Sequence, residues 1–288
     1  MTLHCRRLDD AAAFLEVAGA FLSSHEAENT IALGAALGCR DRTPDGAGFW
    51  IVVDAGPGGD AILLAATHLP PRPLALAHGD NRAVPALAAG LRDGGVTLSG
   101  VVGQPPLAQD FARAWSAATG VSAMPAMTMT MHHLTAVAPV PAPPGRLRPA
   151  EPADAGWIAD WIVQFIAETG LPASEAQGAR SQAESGIERG RFFVWEDGRS
   201  PVAMAGITTT AAAGDGGRLG PVRTAPALRG HGHATACVAA LSRRQLSEGW
   251  RYCLILTDDR NPVTGRIYGR VGYRAIGKQQ MIPFGKAA

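Results

Sequence analysis

Behind Asp154, the apolar residues Trp157, Ile158, Trp161, Ile162 and Phe165 recur at helical spacing. That pattern predicts an amphipathic helix with an acidic N-cap. A second helix is expected at about Ser174–Arg189, followed by strands at Phe192–Trp195 and Val202–Thr209 around a turn at Glu196–Ser200. A Gly-rich hairpin at Gly214–Gly217 leads into strand Arg218–Thr224. A helix from Gly232 to about Glu248, strand Tyr252–Thr257, a short helix Val263–Val271 and a last strand Arg274–Pro283 complete the half. Hairpin strands followed by β-α-β-α-β predict an α+β domain with a mixed, mostly antiparallel sheet flanked by helices.

The first half follows a similar order. Helix Phe14–Leu22 precedes strands Phe49–Val53 and Ala61–Thr67 around Asp54–Asp60. Then come strand Leu74–Ala77, helix Val84–Leu91, strand Val96–Val102, helix Leu107–Ala118 and a closing strand, Met127–Leu134. The order repeats although the residues hardly do, which reads as an internal duplication; an unrelated α+β cap is the alternative. Between the halves lies Ala138-Pro139-Val140-Pro141-Ala142-Pro143-Pro144-Gly145, too rich in proline for a helix or a central strand. The expected division is therefore 1–138, a Pro-rich linker 139–145, and 146–288.

Composition narrows the classes. Of 288 residues, 47% are hydrophobic and 18% charged, enough to build a sizeable core and unlike a disordered chain. A formal net charge of +1 argues against a nucleic-acid coat or a polybasic membrane binder. No stretch approaches the roughly 20 apolar residues that cross a bilayer, and no signal-peptide pattern opens the chain. Four scattered cysteines, Cys5, Cys39, Cys237 and Cys253, have neither metal nor disulfide spacing. A reducing, cytoplasmic setting and buried thiols are the expectation.

The chemistry concentrates in Val222-Arg223-Thr224-Ala225-Pro226-Ala227-Leu228-Arg229-Gly230-His231-Gly232-His233-Ala234. A strand ends, a turn holds two glycines, and an apolar helix opens with unpaired N–H groups. Glycines let backbone donors approach an anion without a Cβ in the way. The helix start adds partial positive charge and Arg229 a full one. A pyrophosphate cradle is the reading. A dinucleotide fingerprint fails because Thr235 stands where its third glycine belongs. A P-loop fails for want of Gly-Lys-Ser/Thr. His231 and His233, two apart with no supporting carboxylate, make a poor metal site, and no metal is expected.

Arg229-Gly230-His231-Gly232-His233-Ala234 resembles the Arg/Gln-x-x-Gly-x-Gly/Ala signature of the GNAT superfamily of N-acetyltransferases. Leu256–Pro262 and Ile267–Arg274, with Asn261 after a strand and Tyr268 ahead of Gly272-Tyr273, resemble that family's other cofactor-side segment. The resemblance spans about residues 146–285, and the whole chain resembles tandem GNAT domains with a degenerate first copy. It implies acetyl-CoA as co-substrate and a small-molecule or peptide amine as acceptor, attacking directly in a ternary complex. Nucleic acid and membrane are not implied partners, and oligomeric state stays open.

Residue by residue, the resemblance implies that Val222, Arg223 and Thr224 meet the pantetheine arm, Val222 and Thr224 through their backbones. It implies that Arg229, Gly230, His231, Gly232, His233 and Ala234 hold the pyrophosphate and that Asn261 contacts the cofactor. Tyr268 becomes the candidate general acid for the leaving thiolate. Glu168 is a candidate base, with Asp258, Asp259 or a water relay as alternatives. The first half offers only Ala77-His78-Gly79-Asp80-Asn81-Arg82 opposite the cradle, and no hydroxyl at Phe111 or Ala112 where Tyr268 would be matched. It is expected not to bind CoA. The alternative function is a non-catalytic acyl-CoA-binding regulator or scaffold.

Overall fold

Leu3–Leu8 (β1) is a strand that the hydrophobic pattern leaves unmarked, because Arg6 and Arg7 break its alternation. The computed structural model describes residues 2–56, 59–171, 173–211 and 215–285. The chain divides into two compact units, Met1–Met129 with Gly277–Ala288, and Thr130–Ile276.

After β1 come helices Ala11–Ser24 (α1) and Thr30–Gly38 (α2). Asp10 caps α1 by accepting from the Ala13 amide at 2.8 Å. The pattern misses α2 because its residues are apolar nearly all round, which erases the helical period. Strands Gly48–Gly56 (β2), Gly59–His68 (β3) and Leu74–Leu76 (β4) follow, then helix Val84–Asp93 (α3) and strand Gly100–Gly103 (β5). β5 is shorter than the expected Val96–Val102, since the Val96 amide turns back to Leu91 O at 3.0 Å and closes α3. Helix Pro105–Thr119 (α4) and strands Ser122–Ala123 (β6) and Met127–Leu134 (β7) come next.

The second unit has strand Arg146–Pro149 (β8), helices Ala155–Thr169 (α5) and Ala179–Glu188 (α6), and strands Phe192–Asp197 (β9), Ser200–Thr210 (β10) and Gly216–Thr224 (β11). Helix His233–Ser247 (α7), strand Tyr252–Asp258 (β12) and helix Pro262–Val271 (α8) end it, and strand Arg274–Gly285 (β13) follows, with residues 277–285 in the first unit. The expected helix Ser174–Arg189 is divided: a short 3-10 turn covers Ala173–Ala176, and α6 begins only after Gly178 at φ +77°. The first residue of the expected hairpin Gly214–Gly217 lies outside the described residues.

Strand order in the first unit is β1-β2-β3-β4-β5-β13, and in the second β7-β12-β11-β10-β9-β8. This corrects the expected cut. β13 does not close the second unit: it pairs antiparallel with β5, from Gln280↔Gly103 to Pro283↔Gly100. β7 likewise carries residues 130–134 to β12, where His132 Nε2 meets Thr257 Oγ1 at 2.9 Å. The physical reason lies in burial, since Ile282 fills the first core and Leu134 the second. Nor is 139–145 a free spacer. Ala138 N donates to Val271 O at 2.9 Å and Trp195 Nε1 to Pro144 O at 3.1 Å, while Val140 packs on the second core.

In the second unit, alternate residues serve opposite faces of the sheet. Phe193, Trp195, Ala203 and Ala205 pack with Val238 and Leu241 of α7. Phe192 and Met204 pack with Ile158, Ile162 and Ile166 of α5 and Ala183 of α6. α5 is fixed at its start by Asp154, which does not cap it as expected. The carboxylate instead accepts from Arg148 at 2.6 and 3.1 Å, from the Glu151 amide at 2.7 Å and from Trp157 Nε1 at 3.1 Å. Burial opposes ionisation of Asp154, but these hydrogen bonds and the Arg148 charge outweigh it and hold the carboxyl below its usual range.

Two predictions follow from these contacts. Deleting residues 277–288 removes the partner of β5 and the buried Ile282, so the first unit should lose its thermal transition while α5–α8 stay protected in hydrogen exchange. Asp154→Ala should cost about 2 kcal/mol in denaturant unfolding, because it removes charged hydrogen bonds from a mostly buried guanidinium that Glu196 still pairs at 2.8 Å. The folded-state pKa of Asp154 lies below its unfolded value of about 3.9. The pair therefore stabilises fully above that value, and its contribution is lost as pH falls through the folded one. The acid-induced loss of stability should be shallower in the variant.

Candidate functional site

β11 and β12 run parallel but pair only over Gly216↔Tyr252, Gly217↔Cys253 and Arg218↔Leu254. Both continue beyond, to Thr224 and Asp258, so their carboxyl ends are unpaired with each other. The cause sits on the other edge. Between Leu219 and Val222 the β10–β11 register shifts, with Ile207↔Leu219 giving way to Ala205↔Val222, and such a bulge bends its strand away. Gly206 permits it: a Cβ there would stand 2.7 Å from Gly220 O and 3.0 Å from Phe192 Cε1.

Strand alternation then sorts the three expected contact residues. Ala225 N donates to Val202 O on the β10 side at 3.1 Å. Backbone groups alternate along a strand, so Val222 and Thr224 turn theirs to the open edge and Arg223 turns its own to β10. Arg223 therefore offers no backbone group to the open edge. Its side chain instead faces α5, where its guanidinium lies 5.5 Å over the Trp161 ring and Nη2 donates to Glu168 Oε1 at 2.9 Å.

Beyond β11, a 3-10 turn at Pro226–Leu228 leads through Arg229 to α7. Gly230 and Gly232 take φ +84° and +86°, left-handed values that strain any other residue. Gly232 is the N-cap of α7, and no side chain caps the helix. The first amides of α7 are therefore free of side-chain acceptors, at the positive end of a four-turn helix. Arg229 donates through Nε to Thr224 O at 3.3 Å and through Nη2 to both oxygens of Glu168 at 2.9 and 2.7 Å. His231 is exposed. His233 is buried, with Nδ1 unpartnered among the described residues, and the two rings stand 6.2 Å apart.

Tyr268 lies in the core packed around α7 and α8, edge-on to Tyr273 at 5.9 Å. Burial, with Cys237 close by, raises its hydroxyl well above the usual phenol value. Tyr273 is itself held by Ser242, hydroxyl to hydroxyl at 2.9 Å. Asn261 caps α8, its side-chain oxygen accepting from Val263 N at 3.2 Å. Of the carboxylates considered as base, Asp258 is tied to Arg260 and lowered by that hydrogen bond, while Asp259 accepts from Thr130 at 2.5 Å. For Glu168, burial works against ionisation, but the Arg229 hydrogen bonds and the Arg223 charge prevail and lower its pKa.

The structure thus gathers Val222, Arg223, Thr224, Arg229 and Glu168 around the turn that opens α7. Trp161 packs on the core of its unit and also lies under the Arg223 guanidinium, and the His132 ring meets Thr257 on the stretch of β12 beyond its pairing with β11. The first unit is built differently at the matching place. β4 and β5 pair at Leu74↔Val101 and Ala75↔Val102 and both end promptly. His78 Nδ1 and Gln104 Oε1, 2.8 Å apart, clip the two strand ends together. Asp80 already accepts from the Arg82 amide at the helix entry, at 2.9 Å, and puts negative charge there.

All four thiols are unreactive by environment. Burial pushes Cys5 up to about 11 and Cys237 and Cys253 up to about 12, and raises Cys39. Titration with a disulfide reagent at pH 8 should register almost none in the native protein and four after denaturation; fast labelling of Cys237 would contradict this placement.

The profile of the Acetyltransferase (GNAT) family matches residues 159–273, the stretch from α5 to the end of α8. A search of curated proteins finds no match. Among solved structures, a GCN5-related N-acetyltransferase from Sphaerobacter thermophilus superposes with a TM-score of 0.66 at 16% identity, covering 99% of this chain and 96% of that one. A GNAT-family acetyltransferase from Colwellia psychrerythraea gives 0.59 at 12%, over 98% and 99%. A tandem GNAT protein from the clavulanic acid biosynthesis pathway gives 0.53 at 14%, over 100% and 99%. At these identities the likeness is one of fold, and it runs through both units. Residues 159–273 of the second unit thus match the GNAT acetyltransferase family, and over its whole length the chain has the fold of tandem GNAT structures.

Proposed function

We propose that the protein transfers an acetyl group from acetyl-CoA to an amine of a small molecule or peptide, with both bound at once. One observation carries the reading: the uncapped start of α7 stands directly after a strand whose inner edge has left its parallel neighbour. Glycines at positive φ, free amides and Arg229 suit a pyrophosphate. The open backbone groups of Val222 and the Thr224 amide, whose carbonyl already accepts from Arg229 Nε, suit an extended, amide-bearing arm. Bound there, acetyl-CoA supplies a thioester acetyl group and a thiol leaving group.

The chain's own residues then have separable tasks. The amides of Gly230 to Ala234 hold the pyrophosphate, and Asn261 lies at the start of α8 as a further contact. The amine nitrogen bonds to the acetyl carbon as the carbon–sulfur bond breaks; the amine gives up one proton to water and the sulfur gains one. Tyr268 donates to the departing sulfur. Burial keeps it protonated, so it offers its hydroxyl hydrogen to the developing thiolate and regains from water the proton that sulfur takes. Glu168 serves as counter-ion to two guanidiniums; a carboxyl with a lowered pKa is a weak proton acceptor. That same engagement of Glu168 favours the second reading, an acyl-CoA-binding regulator without turnover.

Thiol release from acetyl-CoA across an amine panel separates the two. Turnover is expected, with Tyr268→Phe lowering kcat by ~10²-fold or more and leaving CoA affinity unchanged by calorimetry. Gly232→Val should weaken CoA binding without unfolding the protein. CoA binding with no thiol release for any amine would establish the regulator instead.

A further inference from the structure

We infer that the acceptor is an amine that also carries a carboxylate, an amino acid or a close analogue, and that Arg223 binds that carboxylate. This rests on the acetyltransfer reading. Arg223 is 4% exposed, and only Nη2 of its guanidinium is used, by Glu168. Nε and Nη1 are buried and have no hydrogen-bond partner among the described residues. Leaving charged donors unpaired costs more than leaving neutral ones, so such a group marks a place where an acceptor atom belongs.

Position and charge say which acceptor. Arg223 lies on the stretch of β11 that has parted from β12, with its side chain on the α5 face, away from the open backbone edge of Val222 and Thr224. A group bound there would flank the reacting centre. Arg223 and Arg229 share one carboxylate, Glu168; Arg229 also serves the pyrophosphate, so the charged donors left for an acceptor group are Nε and Nη1 of Arg223. Glu168 keeps Nη2 in place, and the Trp161 ring supports the guanidinium from one side at 5.5 Å. The planar fork of arginine is suited to a carboxylate. Arg260 adds no free charge, because Asp258 binds it.

The test compares matched acceptors in the full-length protein: phenylalanine, leucine and lysine against phenethylamine, isopentylamine and cadaverine. Calorimetry on the CoA-loaded protein and thiol release from acetyl-CoA are both read. The carboxylated member of each pair should bind and turn over ~10- to 100-fold better. Arg223→Met should erase that preference, and Arg223→Lys should recover part of it, with thermal unfolding confirming that each variant folds. Equal or better use of the amines that lack a carboxylate overturns the inference even if both variants misfold, since the wild type alone decides it. If Arg223→Met weakens CoA binding and leaves the preference intact, the guanidinium serves a CoA phosphate and the inference is wrong. If the protein binds no CoA yet binds the amino acids through Arg223, the inference stands and the acetyltransfer reading falls.

Discussion

The site depends on one constraint, the failure of β11 and β12 to stay paired. Two parallel strands that hydrogen-bond over Gly216–Arg218 would bury their edges throughout if nothing intervened. The bulge at Gly220-Pro221, admitted by the missing side chain of Gly206, bends β11 away. Unpaired backbone groups inside a protein are costly unless something meets them. An opened edge of this kind is therefore a demand for a ligand that brings its own donors and acceptors in extended form. The helix that follows supplies the complementary demand at its start, a set of amides without acceptors.

The two units show how little distinguishes an open site from a closed one. In the second, β11 runs past its last paired residue and the helix entry is uncapped and flanked by arginines. In the first, β4 and β5 stop together, a His78–Gln104 contact closes their ends, and Asp80 sits where an anion would go. Each unit keeps a buried sheet and a well-packed core, and the two differ in polar detail at this place.

Much of this could be seen in the sequence. Long amphipathic stretches such as α5 and α7 announced themselves by period, and the two glycines after Arg229, both at positive φ, marked the turn that opens α7. Elements escaped where the period was masked: arginines broke the alternation of β1, and α2 was too uniformly apolar to show a face. Among the site residues, the roles of Val222 and Thr224 follow from strand parity. Those of Arg223 and Glu168 did not show, since a single sequence gives no sign that residues 55 positions apart form an ion pair.

By itself, the sequence determined the type and order of most elements, β1 and α2 apart, and the two-glycine turn before α7, because period, proline and glycine act over a few neighbouring residues. Tertiary structure decided which strands complete which sheet. β7 and β13 are each divided between the units, and only long-range pairing and the burial of Leu134 and Ile282 decide which core each strand serves. It also decided that Glu168 is bound by two arginines and that Arg223 keeps two donors unused. Charge balance at a site is a property of what is brought together in space, and residues far apart in the chain carry no local mark of it.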